Sequence, residues 1–174
     1  LENGAPANTL GGLGSAIAWA GGDTFLLTPD RGPNASAWNS SVDNTTSWIP
    51  RFQTLNLGLG TTAFSAGSIA TLTPVLNATT LLSSSAALNY GTAPVLTGSN
   101  GEHYFTGRSD AFATGTSTNP DNARLDLEGI RVAADGKSVY ITDEYGPYIY
   151  RFDRSTGERT GVITLPEKFA ATTP

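Results

Sequence analysis

Short runs of alternating apolar and polar residues, separated by turn residues, recur along the last third of the chain. Residues 130–133 alternate like a short strand, and residues 138–142 are rich in β-branched and aromatic side chains. The Asp-Gly turn between them makes a β-hairpin the expected structure. After a break at Gly146-Pro147, the same pattern predicts two more strands, residues 148–153 and 159–165. Four short antiparallel strands in succession are the content of one β-propeller blade.

A second copy of this pattern lies near the start of the chain. Residues 17–28 align with residues 130–142, and Gly32-Pro33 aligns with Gly146-Pro147. In both copies an Arg-Phe step then starts the next strand, but the first copy carries an insertion before it, at residues 34–50. Self-similarity of this kind indicates a repeat architecture whose units pack against each other. We therefore predict an all-β fold of four-stranded antiparallel blades, with residues 34–50 as a surface loop insertion.

The composition agrees with a turn-rich β protein. The 174 residues include 20 Gly and 10 Pro, and only 14% of residues are charged. The formal net charge of -5 argues against nucleic acid as a partner and suits the binding of cations. Cysteine is absent, which excludes a thiolate metal site, and no apolar run approaches the length of a membrane span. This length fits one domain, or part of one.

Sequons for N-glycosylation stand at four positions, and three of them fall in the insertion: Asn34, Asn39, Asn44 and Asn77. Chance matches are one explanation, because the chain is rich in Ser, Thr and Asn. If the sequons are used, the protein is exported and these loops face solvent. The expected location is then secreted, extracellular or periplasmic.

Charged side chains concentrate where the predicted strands end: Asp30, Arg31, Arg108, Asp110, Arg124, Asp126, Glu128, Asp143 and Glu144. Carboxylates with backbone carbonyls suit Ca²⁺, whereas a single histidine and no cysteine disfavour zinc. An arginine beside such a site can bind phosphate oxygens. The alternative is that each charge is a turn cap or a solvated group. We expect Glu128 near a channel mouth, at the opposite end of its hairpin from the loop after Thr142.

Three segments carry a resemblance to a known family. Gly107-Arg108-Ser109-Asp110, Leu127-Glu128-Gly129-Ile130 and residues 142–153 resemble the phytase-like family called "esterase-like activity of phytase", and residues 30–33 resemble its first-repeat motif. The resemblance implies a β-propeller, commonly exported, that performs metal-assisted hydrolysis of phosphoric esters. Residues 1–174 would be the N-terminal part, about half of a six- or seven-bladed propeller. The remaining half would come from a second chain or fragment, or from a homo-oligomer.

The resemblance also implies roles for individual residues in binding a phosphorylated small molecule. The expected catalytic residues are Glu128, Asp143, Glu144 and Arg108, and the expected substrate-binding residues are Arg31 and Arg108. The expected ligands of a Ca²⁺ cofactor are Asp30, Asp110, Glu128 and Glu144. Two alternatives stay open at this point. One is a non-catalytic, glycosylated extracellular propeller with a binding or structural role, and the other is a calcium-dependent, lactonase-like propeller.

Overall fold

A computed structural model describes residues 1, 6–33, 48–60, 71–91, 95–107 and 117–170. Five of the predicted functional positions lie outside these ranges: Asn34, Asn39, Asn44, Arg108 and Asp110. In the described ranges, strands dominate and the one helical element is a short 3₁₀ turn at Glu167–Phe169. No helix in these ranges is long and apolar enough to cross a membrane.

The first sheet has four antiparallel strands in chain order: β1 (Ala16–Trp19), β2 (Thr24–Thr28), β3 (Arg51–Leu59) and β4 (Leu72–Leu81). Thr and large apolar residues fill β2, as expected of a half-buried strand. The turn between β1 and β2 uses Gly21 and Gly22, whose φ values of 106° and 53° suit glycine. The sheet therefore matches the predicted first copy of the repeat.

A connector, residues 82–126, joins the two larger sheets. It contains β5 (Ser83–Ser84) and β6 (His103–Tyr104), which pair antiparallel. Isolated bridges tie it to its surroundings, including one between Ser83 and Glu158. The connector therefore belongs to the same packed unit as the sheets.

The second sheet again has four antiparallel strands in chain order: β7 (Leu127–Val132), β8 (Ser138–Asp143), β9 (Tyr148–Asp153) and β10 (Arg159–Thr164). The predicted strands and the all-β class with four-stranded antiparallel sheets are thus confirmed. One expectation is wrong: Leu127 pairs with Asp143, so Glu128 and the loop after Thr142 lie at the same end of the hairpin. Antiparallel pairing requires this, because the start of one strand faces the end of the next.

Both sheets and the connector share one hydrophobic core. Ala18, Leu26 and Phe52 enter it from the first sheet, and Leu82 and Phe105 enter it from the connector. The second sheet adds side chains at alternate positions of its strands: Ile130, Val139, Ile141, Tyr148, Tyr150 and Phe152. The first strands of the two sheets, β1 and β7, contact each other. Closure into a propeller, and the partner that would complete it, stay predictions.

Trp48 anchors the chain that leaves β2. Its side chain is fully buried, and its indole N–H donates to the Thr9 carbonyl at 3.1 Å. The Arg51 guanidinium lies 4.3 Å from the ring centroid. Gly32 fits against the ring only because it lacks a side chain, since an added Cβ would lie 2.6 Å from it. The ring therefore fixes the backbone directly after Asp30 and Arg31.

We predict that Gly32→Ala destabilises the protein more than Gly21→Ala does. Both glycines have a φ of 106°, but an added Cβ at Gly21 meets nothing within 4 Å. The backbone strain is therefore matched, and the collision with Trp48 adds about 1–3 kcal/mol at Gly32. Urea unfolding of both variants measures the difference. Equal losses in the two variants would show that the Trp48 contact does not constrain this loop.

Candidate functional site

The first part of the site is the loop that follows β2. Asp30 and Arg31 lie between the end of β2 and Gly32, whose backbone rests on Trp48. The Arg31 carbonyl packs directly against Gly107, where an added Cβ would overlap it. The Gly107 N–H in turn donates to the Trp48 carbonyl at 3.0 Å. Close backbone contacts therefore hold Asp30 and Arg31 in one place.

The second part is the junction of β7 and β8. The Asp143 carboxylate accepts hydrogen bonds from the N–H groups of Asp126, at 3.0 Å, and Tyr145, at 3.1 Å. The Asp126 carbonyl accepts the Glu144 N–H at 3.1 Å. These bonds tie the residues before β7 to the residues after β8. Asp143 thereby sets the position of the Asp126 backbone.

A β-bulge directs Glu128 away from the core. The pairing register of β7 with β8 shifts between Leu127 and Gly129, so Glu128 is the extra residue. Leu127 and Ile130 are both buried, although three positions separate them, whereas Glu128 is exposed. Gly129 allows close approach of β8, because an added Cβ would lie 2.7 Å from the Thr142 hydroxyl. The Glu-Gly pair therefore places a carboxylate at the surface where a regular strand would not.

These elements bring three carboxylates together. One oxygen from each of Asp30, Asp126 and Glu128 lies within 4.8 Å of the others. Asp126 is completely buried, whereas Asp30 and Glu128 are exposed. We call these three residues the acidic triad.

Among the described residues, Arg31 is a cation in direct contact with the acidic triad. Its guanidinium donates to one Asp126 oxygen at 2.9 Å, and its backbone N–H donates to the other at 3.1 Å. The Arg31 N–H also donates to Asp30 at 2.6 Å. A charge-assisted pair of this kind compensates part of the cost of burying Asp126.

The protonation equilibria of the triad reflect its crowding. Burial raises the pKa of Asp126 to about 8, and the neighbouring Asp30 carboxylate adds to the increase. Partial burial and the charges of Asp30 and Glu144 raise the pKa of Glu128. The pKa of Asp30 is lowered, because its hydrogen bonds with Asp126 and the Arg31 N–H outweigh its own desolvation. The carboxylates of the triad therefore repel one another, and this repulsion favours protonation. A bound cation would reduce the repulsion.

The oxygen-only donor set fits a hard divalent cation. Three carboxylates converge and one of them is deeply buried, while the nearby cation, Arg31, faces mainly Asp126. Within the described ranges, the acidic triad is the one group of three metal-ligating side chains close enough to share an ion. The donor set does not distinguish Ca²⁺ from Mg²⁺ or Mn²⁺.

The structure brings several predicted residues together. Asp30, Arg31, Glu128, Asp143 and Glu144 all lie at this site, although Arg31 binds a carboxylate and Asp143 binds backbone N–H groups. Their predicted catalytic and substrate roles stay predictions, as do those of Arg108 and Asp110. Asn77 lies on the exposed strand β4, where its side chain donates to Asn56 at 2.8 Å, and its glycosylation also stays a prediction.

Asp126 is the member of the acidic triad to which the sequence assigned no metal role. It was recognised as a charged residue at a strand end, but it stands outside the Leu-Glu-Gly-Ile motif. The local pattern does not reveal its burial, because Asp126 alternates with Leu125 and Leu127, and such alternation predicts an outward-facing carboxylate. In the structure all three residues are fully buried.

Comparison with known proteins adds the family. The sequence model of the phytase-like family, described as "Esterase-like activity of phytase", matches residues 8–174. No curated protein and no solved structure matches the chain. The family match spans both four-stranded sheets and every residue of the acidic triad. The chain therefore belongs to the phytase-like family.

Proposed function

We propose that this protein is a hydrolase of phosphoric esters assisted by Ca²⁺, which Asp30, Asp126 and Glu128 bind. The observation that carries the proposal is the convergence of these three carboxylates beside Arg31. Carboxylate oxygens are the ligands that Ca²⁺ prefers. The family's description, an esterase-like activity of phytase, supports the same reaction class. The resemblance at residues 107–110 and 142–153 also supports the proposal, and it adds Arg108 and Asp110 to the proposed site. Export of the protein is a further part of the proposal.

Each residue of the site has a distinct task in this proposal. Asp30, Asp126 and Glu128 would hold Ca²⁺, and the ion would supply polarisation of a phosphoryl oxygen and neutralisation of the phosphate charge. Arg31 holds Asp126 in its buried position and presents positive charge to the incoming anion. Glu144 is exposed next to Glu128 and accepts the proton of the attacking water. The water oxygen forms a new P–O bond as the ester P–O bond breaks, the alcohol leaves with a proton taken from solvent, and Glu144 returns its proton to solvent.

Asp143 acts through Asp126 in this proposal. Asp143 is half-buried, and one oxygen of its carboxylate accepts the backbone N–H groups of both Asp126 and Tyr145. It is therefore a positioning residue, in contrast to the catalytic role that the resemblance implies.

We predict that Glu128→Gln lowers phosphoesterase activity by about 10²-fold, because it removes a charged ligand of the cation. The assay uses phosphate monoesters and diesters with and without added Ca²⁺. Glu167→Gln is the control, because Glu167 lies on the exposed 3₁₀ turn and the substitution makes the same change of charge. The proposed function is wrong if the wild-type protein hydrolyses none of these esters in the presence of Ca²⁺.

We predict that Ca²⁺ affinity increases from pH 6 to pH 8. The pKa of Asp126 is about 8 and that of Glu128 is raised, so protons compete with the cation at low pH and are released on binding. In the absence of the cation, the stability of the folded protein has the opposite pH dependence. The folded protein holds a proton on Asp126 that the unfolded chain has already lost, so stability falls as pH rises toward 8. Calorimetric titrations at pH 6, 7 and 8 test the affinity, and a constant affinity contradicts the assignment of Asp126 as a ligand.

We predict that Asp143→Asn retains most of the activity, whereas Asp143→Ala loses Ca²⁺ affinity by about tenfold and stability by about 1–3 kcal/mol. Asparagine keeps an oxygen that accepts the Asp126 and Tyr145 N–H groups, and alanine leaves both without that acceptor. Activity, Ca²⁺ titration and urea unfolding of the pair separate the two roles. An Asp143→Asn variant as inactive as Glu128→Gln would assign Asp143 a direct part in the reaction.

A further inference from the structure

A cavity of about 530 Å³ opens where β1 and β7 lie side by side. Its volume lies in the range of small-molecule sites. Glu128, from the acidic triad, forms part of its wall, so the cavity begins where the proposed cation site ends. A ligand bound at the triad would therefore lie at the edge of this cavity.

The two walls of the cavity differ in chemistry. The wall formed by the first sheet is mostly apolar and includes Ile17 and Leu27. Ile17, on the edge strand β1, is 51% exposed, so its side chain is available for contact in this cavity. The wall formed by β7 carries Glu128, Gly129 and Arg131. The bulge at Glu128 leaves Arg131 on the open side of the strand, while Ile130 enters the core.

Arg131 is the one cationic side chain among the described residues that line the cavity. Its guanidinium donates to the Ile130 carbonyl at 2.7 Å, and it forms no ion pair with any described carboxylate. An arginine held against its own strand keeps other N–H donors for a planar anion, and it loses little side-chain entropy on binding.

We propose that Arg131 is a specificity residue, and that the preferred substrates are phosphoric esters whose alcohol part is apolar and carries one further anionic group. The phosphate lies at the acidic triad, the apolar part contacts Ile17 and Leu27, and the second anion binds Arg131. This inference rests on the proposed function, because it places the phosphate at the proposed cation site. A polyanion such as inositol hexakisphosphate fits poorly, because charged groups would be desolvated against the apolar wall without a counter-charge.

The test separates binding from turnover. Phenylphosphonate and 4-carboxyphenylphosphonate are not hydrolysed and differ in one carboxylate. With Ca²⁺ present, we expect the wild-type protein to bind the carboxylate compound about tenfold more tightly, as one charge-assisted hydrogen-bonded contact provides. Arg131→Gln removes this preference, and Arg131→Lys retains part of it. Arg154→Gln is the matched control, because Arg154 also donates to a backbone carbonyl, that of Gly136 at 3.2 Å, but lies outside the cavity wall.

Three binding results overturn the inference: neither phosphonate binds, both bind equally, or the preference persists in Arg131→Gln. Hydrolysis of phenyl phosphate, 4-carboxyphenyl phosphate and inositol hexakisphosphate is then compared by kcat/KM. The inference requires the ratio of the two aryl esters to fall in Arg131→Gln alone, and it is wrong if inositol hexakisphosphate is the best of the three. If the phosphonates bind as expected but no ester is hydrolysed, the proposed function fails while the binding site stands.

Discussion

Three carboxylates are held within a few ångströms of each other, although their charges repel, and the surrounding structure is arranged to keep them there. Repulsion alone would separate side chains carried on flexible loops. Here the Asp30 loop is fixed by Trp48 and Gly107, and the Asp126 backbone is fixed by Asp143. These backbone contacts therefore hold the three carboxylates close together against their mutual repulsion.

The two halves of the site come from different sheets, and one ion pair joins them. Arg31 follows β2 and Asp126 precedes β7, yet their side chains meet at 2.9 Å. Without this partner, the buried Asp126 carboxyl would have no cation to stabilise its ionised form next to the shared core. The ion pair therefore links the positions of the two sheets to the chemistry of the site. A change in the packing of β1 against β7 would also change the distance between Asp30 and Glu128.

The strands could be predicted from the sequence because their signals are local. Period-two alternation and Asp-Gly or Gly-Pro turns are complete within about ten residues, and the second sheet and the first three strands of the first sheet follow from them. The acidic triad depends on contacts between residues 95 positions apart, which no local pattern reveals. Asp126 was therefore grouped with other strand-end charges, and Glu128 was assigned to the wrong end of the hairpin relative to Asp143. The bulge that exposes Glu128 is visible only as a Glu-Gly pair, and a glycine in a strand has several explanations.

The arginines show how an acidic chain can still bind an anionic ligand. Arg31 pairs with Asp126, Arg51 packs on Trp48 and bonds backbone carbonyls, and Arg159 pairs with Asp121. The charges of Arg51 and Arg159 serve the fold, because another group already faces them, and Arg31 divides its charge between Asp126 and the proposed phosphate position. Arg131 differs, since its one described hydrogen bond runs to the adjacent carbonyl and its guanidinium lies in the wall of a cavity. With a net charge of -5, general electrostatic attraction does not bring an anion to this protein, so binding must come from a few placed cations. Specificity for an ester would then be decided at the junction of β1 and β7, where an arginine and an apolar wall face the same cavity.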